Sequence, residues 1–183
     1  MASSRISEKK EVSWIDQVLL VLRFCVPQLL TFVFFILPII PINTSIFSSL
    51  TPALLLIPIY YWSIFRPNVC PPALVFVYGL AIDIISGGLL GFYAILYLSV
   101  QTFVKFQRQL LIKQSFFTIW GGFALLSLIF VFVENLVMFL LKDFLFMPMQ
   151  LLLSLIVPIC LYPIFSPLLI LSHRLISIAP NIR

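Results

Sequence analysis

Charge is the scarcest property of this 183-residue chain, at 9% of residues against roughly 25% in a soluble globular domain. With 62% hydrophobic residues and a mean hydropathy of +1.19, that scarcity excludes an ordinary water-soluble fold. The chain has one histidine, His173, and its three cysteines, Cys25, Cys70 and Cys160, are far apart with no CxxC spacing. Neither a zinc site nor a disulfide framework is supported, and the cysteines read as small apolar packing residues. No HExxH, P-loop or dinucleotide fingerprint occurs, and no second intramembrane aspartate accompanies Asp83 to make an aspartyl dyad. The expectation is therefore a protein that is not an enzyme and carries no cofactor. A net charge of +5 is not a nucleic-acid signature here, because the basic residues lie between apolar runs instead of forming a patch.

Six apolar runs fill the rest of the sequence. The first, Val18 to Ile40, is interrupted only by Arg23 and is too long for a secretory h-region, so it reads as a retained transmembrane helix. The second, Ile46 to Phe65, ends in Tyr60-Tyr61-Trp62, which reads as an interfacial aromatic belt with Arg66 just beyond. The third and fourth, Ala73 to Ile85 and Leu89 to Val104, are short, which predicts that the reversal between them lies below the membrane surface, sheltered by other helices. A basic loop with Lys105, Arg108 and Lys113 follows, then Ser115 to Leu141, and a last run from Pro148 to Leu171 kinked or broken by Pro158, Pro163 and Pro167. With six crossings, ten of the eleven Lys and Arg residues fall on the side of the N-terminus and only Lys142 on the other, which predicts cytoplasmic termini. The expected organisation is a cytoplasmic segment 1–17, a six-helix transmembrane bundle over 18–172 and a cytoplasmic tail 173–183.

Four of the six glycines, Gly79, Gly87, Gly88 and Gly91, lie in one window around Asp83. Small residues let helices approach closely and permit a tight reversal. An aspartate there is costly in lipid unless hydrated, paired or held by backbone donors, and the N-terminal amides of the following helix are candidate donors. Asp83 is thus either a hydrated interfacial carboxylate or helix cap, or a polar contact that fixes the hairpin or docks a partner helix. Glu134, the other intramembrane acid, is either an interfacial acid near the outer headgroups or a contact that lines an outward cavity or meets a partner.

Pro58-Ile-Tyr-Tyr-Trp62, Arg66-Pro67, Gly79-Leu-Ala-Ile-Asp83 and Ser86-Gly-Gly-Leu-Leu-Gly91 together resemble the pattern of the bacterial rod shape-determining protein MreD family. The resemblance is close over Pro58 to Val100 and elsewhere is one of hydropathy. It implies an inner-membrane component of the rod complex, or elongasome, associated with MreC and, through that complex, with MreB, RodA and PBP2. It also implies a fold similar to the substrate-binding S components of energy-coupling-factor transporters. Gly79, Asp83, Gly87 and Gly91 carry the family motif, as structural or contact residues. The alternative function is that of such an S component, binding a small molecule with Asp83 or Glu134 facing a cavity. Apart from proteins, only membrane lipids are expected as partners.

Overall fold

A computed structural model describes residues 28–36, 45–87, 89–142 and 148–177. They form six helices: α1 (28–36), α2 (Ser45–Phe65), α3 (Pro72–Ser86), α4 (Phe92–Leu111), α5 (Phe116–Lys142) and α6 (Pro148–Ser177). Helices α5 and α6 contain apolar stretches of 26 and 24 residues, more than the roughly 20 needed to cross a hydrocarbon core. Helix α3, with 15 residues, spans only about 22 Å. Large apolar side chains point outward, Phe106, Leu90, Phe117 and Phe132 among them, while Asp83, Gln101 and Glu134 are buried. Keeping the polar side chains inside an apolar exterior is the arrangement lipid demands, and the chain is an integral membrane protein.

Helix α2 is the axis of the bundle. Every residue from Pro52 to Ile64 is buried, because α3, α4, α5 and α6 all pack around it. A helix that is apolar all round belongs in such a position. Helix α1 rests on the α3–α6 side, with Phe34 edge-on to Phe165 and Phe35 against Tyr78. Tyr60, Tyr61 and Trp62 are consequently core residues, at most 2% exposed, and not an interfacial belt. An aromatic cluster at a helix end has the same sequence appearance in either setting; what places it inside is the ring of helices around α2. The Tyr60 hydroxyl meets the requirement of a buried donor by bonding to the Ile119 carbonyl at 3.0 Å. Its ring packs with Phe123 and Tyr162, joining α2, α5 and α6.

Two further expectations are corrected. Helix α6 is continuous through Pro158, Pro163 and Pro167, so the prolines do not break it. Proline 163 has no N–H to offer the Ile159 carbonyl, but the Trp120 indole of α5 donates to that oxygen at 2.9 Å. Likewise Ser166 donates to the Pro163 carbonyl, which Pro167 leaves without its helical donor. The basic loop is also mostly helix. Lys105 and Arg108 lie on α4, and only Lys113 falls in the turn between α4 and α5. Arg108 Nε donates at 2.7 Å to the Ile64 carbonyl in the last turn of α2, where a cation complements the helix dipole and an orphan acceptor.

Candidate functional site

Helices α3 and α4 make the most extensive helix pair in the structure. The four-residue spacing of Gly79 and Asp83 puts both on one face of α3, and both are buried against α4. A Cβ built on Gly79 would lie 2.3 Å from Ala94 Cα and 2.6 Å from its nitrogen, so the two backbones meet at a distance only glycine allows. Gly87 closes α3 in the left-handed region, with φ of 60°, and its N–H bonds back to the last-turn carbonyls. Gly91, with φ of 90°, stands immediately before α4. Gly88 lies outside the described residues.

This reversal carries the first amides of α4 back across the end of α3. Asp83, 1% exposed, receives them: Gly91 N–H donates to Oδ2 at 2.8 Å and Tyr93 N–H to Oδ1 at 3.0 Å. A carboxylate near the C-terminus of its own helix, where the dipole disfavours it, is thereby held by the orphan donors at the N-terminus of the next. Tyr93 then extends the network, since its hydroxyl donates to Glu134 Oε1 at 2.5 Å. Glu134 is 2% exposed, inside the bundle. The two acids that lie 51 positions apart in sequence are thus joined through one tyrosine, across α3, α4 and α5.

Tyr93 is the first of a line of α4 residues that sequence reasoning missed. Tyr97 donates to the Pro52 carbonyl at 2.7 Å and Gln101 to the Cys70 carbonyl at 2.7 Å, and Arg108 has the Ile64 contact. Their positions, 93, 97, 101 and 108, repeat at intervals of about one and two helical turns, so a polar seam at helical period was there to be read. Each head group finds an acceptor on a neighbouring helix or loop. Among the described residues no three His, Cys, Asp or Glu side chains come together as metal ligands.

A family model, that of the rod shape-determining protein MreD, matches residues 19–171, most of the chain. The chain belongs to the MreD family. Comparison with curated proteins and with solved structures gave no match. The role that membership brings is in determining rod shape. For an MreD-family chain the hairpin geometry is informative, because both Asp83 oxygens already accept amide protons and a Glu134 oxygen already accepts a phenol. These are contacts that hold helices in register.

Two expected results follow from this geometry. In a double-mutant cycle, Tyr93→Phe and Glu134→Gln are expected to be non-additive by about 0.5–2 kcal/mol, the range of intramembrane side-chain hydrogen bonds. Unfolding in mixed detergent and denaturing micelles reads this, and strict additivity would show that the bond contributes nothing. In the linker between α2 and α3, Cys70 is 2% exposed and burial pushes its thiol up to about 11, with Lys105 opposing the shift. The reactive thiolate is therefore a trace species at pH 7–8 and increases about tenfold for each pH unit up to that value. Maleimide labelling of a Cys25→Ser, Cys160→Ser background is expected to be slow at pH 7 and to accelerate with pH; rapid, pH-independent labelling would contradict the buried position.

Proposed function

We propose that this protein is a noncatalytic scaffold of the bacterial rod complex in the inner membrane. It holds MreC and links MreB filaments on one side to lateral peptidoglycan synthesis by RodA and PBP2 on the other. The observation that carries the reading is family membership combined with a glycine hairpin whose carboxylate accepts from the backbone of the next helix. A general acid or base must reach a substrate proton, whereas Asp83 reaches two amides of its own chain. The contacts of such a scaffold are made within the membrane or through short connections, by packing small residues and by a few polar groups. The distribution of basic residues favours both termini on the cytoplasmic side. In this proposal the six-helix layout follows that of the energy-coupling-factor S components as a likeness of fold, without their ligand.

Association with MreC tests the role of the hairpin. Tagged wild type, Asp83→Asn, Gly87→Leu and Gly87→Asn are isolated from membranes of cells that also produce MreC, and the recovered MreC is quantified. Asparagine tolerates the left-handed conformation that leucine resists, and a Cβ at Gly87 meets nothing within 4 Å. Recovery is expected to fall for Asp83→Asn and Gly87→Leu and to be kept for Gly87→Asn. Undiminished recovery with both Asp83→Asn and Gly87→Leu would remove the hairpin from partner binding.

A further inference from the structure

Among the described residues, helices α4 and α5 leave an open seam beside α2. Helices α4 and α5 are joined at one end by the short turn 112–115 and at the other by the Tyr93–Glu134 bond and the stacked rings of Tyr97 and Phe130. Between these ties they separate and enclose a recess of about 500 Å³. Its walls are mostly apolar, with Leu96, Val100 and Phe103 on α4 and Leu125, Ile129 and Val133 on α5; Ser99 and Gln107 of α4 are the polar residues of the lining. The floor is the side of Tyr60 on α2, reached because Gly122 has no side chain: a Cβ there would stand 2.9 Å from the Tyr60 hydroxyl. The recess extends along α4 from Leu96 to Leu111, about 22 Å at the helical rise. Spread over that length, and with the ~1.4 Å radius of a water molecule added all round, the volume corresponds to a channel about 8 Å across, narrower than a helix of about 10–12 Å.

A channel that long and narrower than a helix, with one side open to the membrane, admits an extended polymethylene chain. Just past its Leu111 end is Lys113, exposed in the turn, with the outward-facing Leu110 and Phe117 nearby on the adjoining helices. A cation at the end of an apolar channel complements a phosphate attached to an acyl chain. We infer that the α4–α5 recess is a specific site for an anionic glycerophospholipid, with one acyl chain lying between Leu96 and Leu111 and the headgroup phosphate at Lys113. The lipid acts there as a structural filler of the seam between α4 and α5. The inference does not depend on the scaffold reading, since the site is defined by the seam and not by a protein partner.

Native mass spectrometry tests it, on protein reconstituted in nanodiscs of equal parts phosphatidylglycerol and phosphatidylcholine and then released into mild detergent. The wild type is expected to retain one phospholipid per chain, predominantly phosphatidylglycerol. The double variant Ser99→Phe, Leu125→Phe narrows the channel from both walls and is expected to lower occupancy about tenfold, the equivalent of losing roughly two buried methylenes. Leu128→Phe, on the exposed face of α5 outside the recess, is expected to retain lipid as the wild type does. Lys113→Gln, at an exposed turn position, is expected to keep one lipid while losing the preference for phosphatidylglycerol. Absence of a discrete retained lipid from the wild type overturns the site, as does undiminished occupancy in the double variant. A second copy of the chain seated on this face, seen as a dimer that the double variant dissociates while lipid retention is unchanged, overturns the acyl-chain assignment as well. An unaltered phosphatidylglycerol preference in Lys113→Gln overturns the headgroup position.

Discussion

Gly79→Ala is expected to be the most damaging single-methyl addition in the chain. The new Cβ would stand 2.3 Å from Ala94 Cα, against roughly 3.5–4.0 Å for an ordinary carbon contact, and the atom it meets is backbone. No rotamer change relieves it; α3 and α4 have to move apart. Overpacking generally costs about 1–3 kcal/mol, and a backbone-to-backbone clash lies at or beyond the upper end. Separation of the pair would also lengthen the bonds from Gly91 and Tyr93 to Asp83, so the loss spreads from packing to the polar network. Ala94→Gly is not expected to rescue the variant, because Cα and nitrogen remain where they were. Gly121→Ala, a helical glycine with open space where its Cβ would lie, is the control and should be neutral or slightly stabilising. Thermal melting in detergent, followed by loss of the monodisperse peak, ranks the three; a Gly79→Ala protein as stable as wild type would mean that the helices do not cross this closely.

Asp83→Ala should cost a comparable amount by a different route. It leaves the Gly91 and Tyr93 amides facing a buried space with no acceptor, and each unsatisfied donor costs about 1–3 kcal/mol, roughly 2–6 together. Asp83→Asn keeps one acceptor oxygen and turns an NH₂ toward the other amide, so an intermediate loss is expected. The order wild type, Asn, Ala in melting temperature is the signature of backbone capping. If Asp83 were instead a hydrated surface carboxylate, both variants would melt with the wild type. Should Asp83→Asn prove the more stable of the three, the carboxylate would be serving function at the expense of the fold.

Much of the helix layout was legible because apolar runs separated by prolines, glycines and charges leave few choices. The α3 and α5 boundaries fall within a residue or so of those read from composition. What composition hides is which helix lies inside. Tyr60-Tyr61-Trp62 have the form of a membrane interface, and only the burial of α2 on every side shows otherwise. The end of α4 is hidden too: lysine and arginine signal the end of a span, yet their long side chains are compatible with helix, and Arg108 turns its head group to the Ile64 carbonyl. The prolines do not break α6 for a related reason, since a donor from another helix, the Trp120 indole, meets the carbonyl that Pro163 leaves open.

At the hairpin, glycine spacing marks the window in which the chain reverses, and the four-residue interval between Gly79 and Asp83 contains the shared face. The sequence does not contain the pairing of Asp83 with Glu134 through Tyr93. That connection depends on how α5 lies against α4, a tertiary fact with no local signal. The polar seam of α4 had a signal, its helical period, but it stands out only once the helix is known to extend past Lys105. The α4–α5 recess had none, because a gap between two apolar helices has the same composition as a contact.

The scaffold account is tested most directly by isolating the tagged wild-type protein from its native membrane in mild detergent and identifying by mass spectrometry the proteins and small molecules that accompany it. The account predicts recovery of MreC with wall synthases, and phospholipid as the stoichiometric small molecule. Recovery of ATPase subunits together with a stoichiometric water-soluble ligand would contradict it and make the chain a transport component.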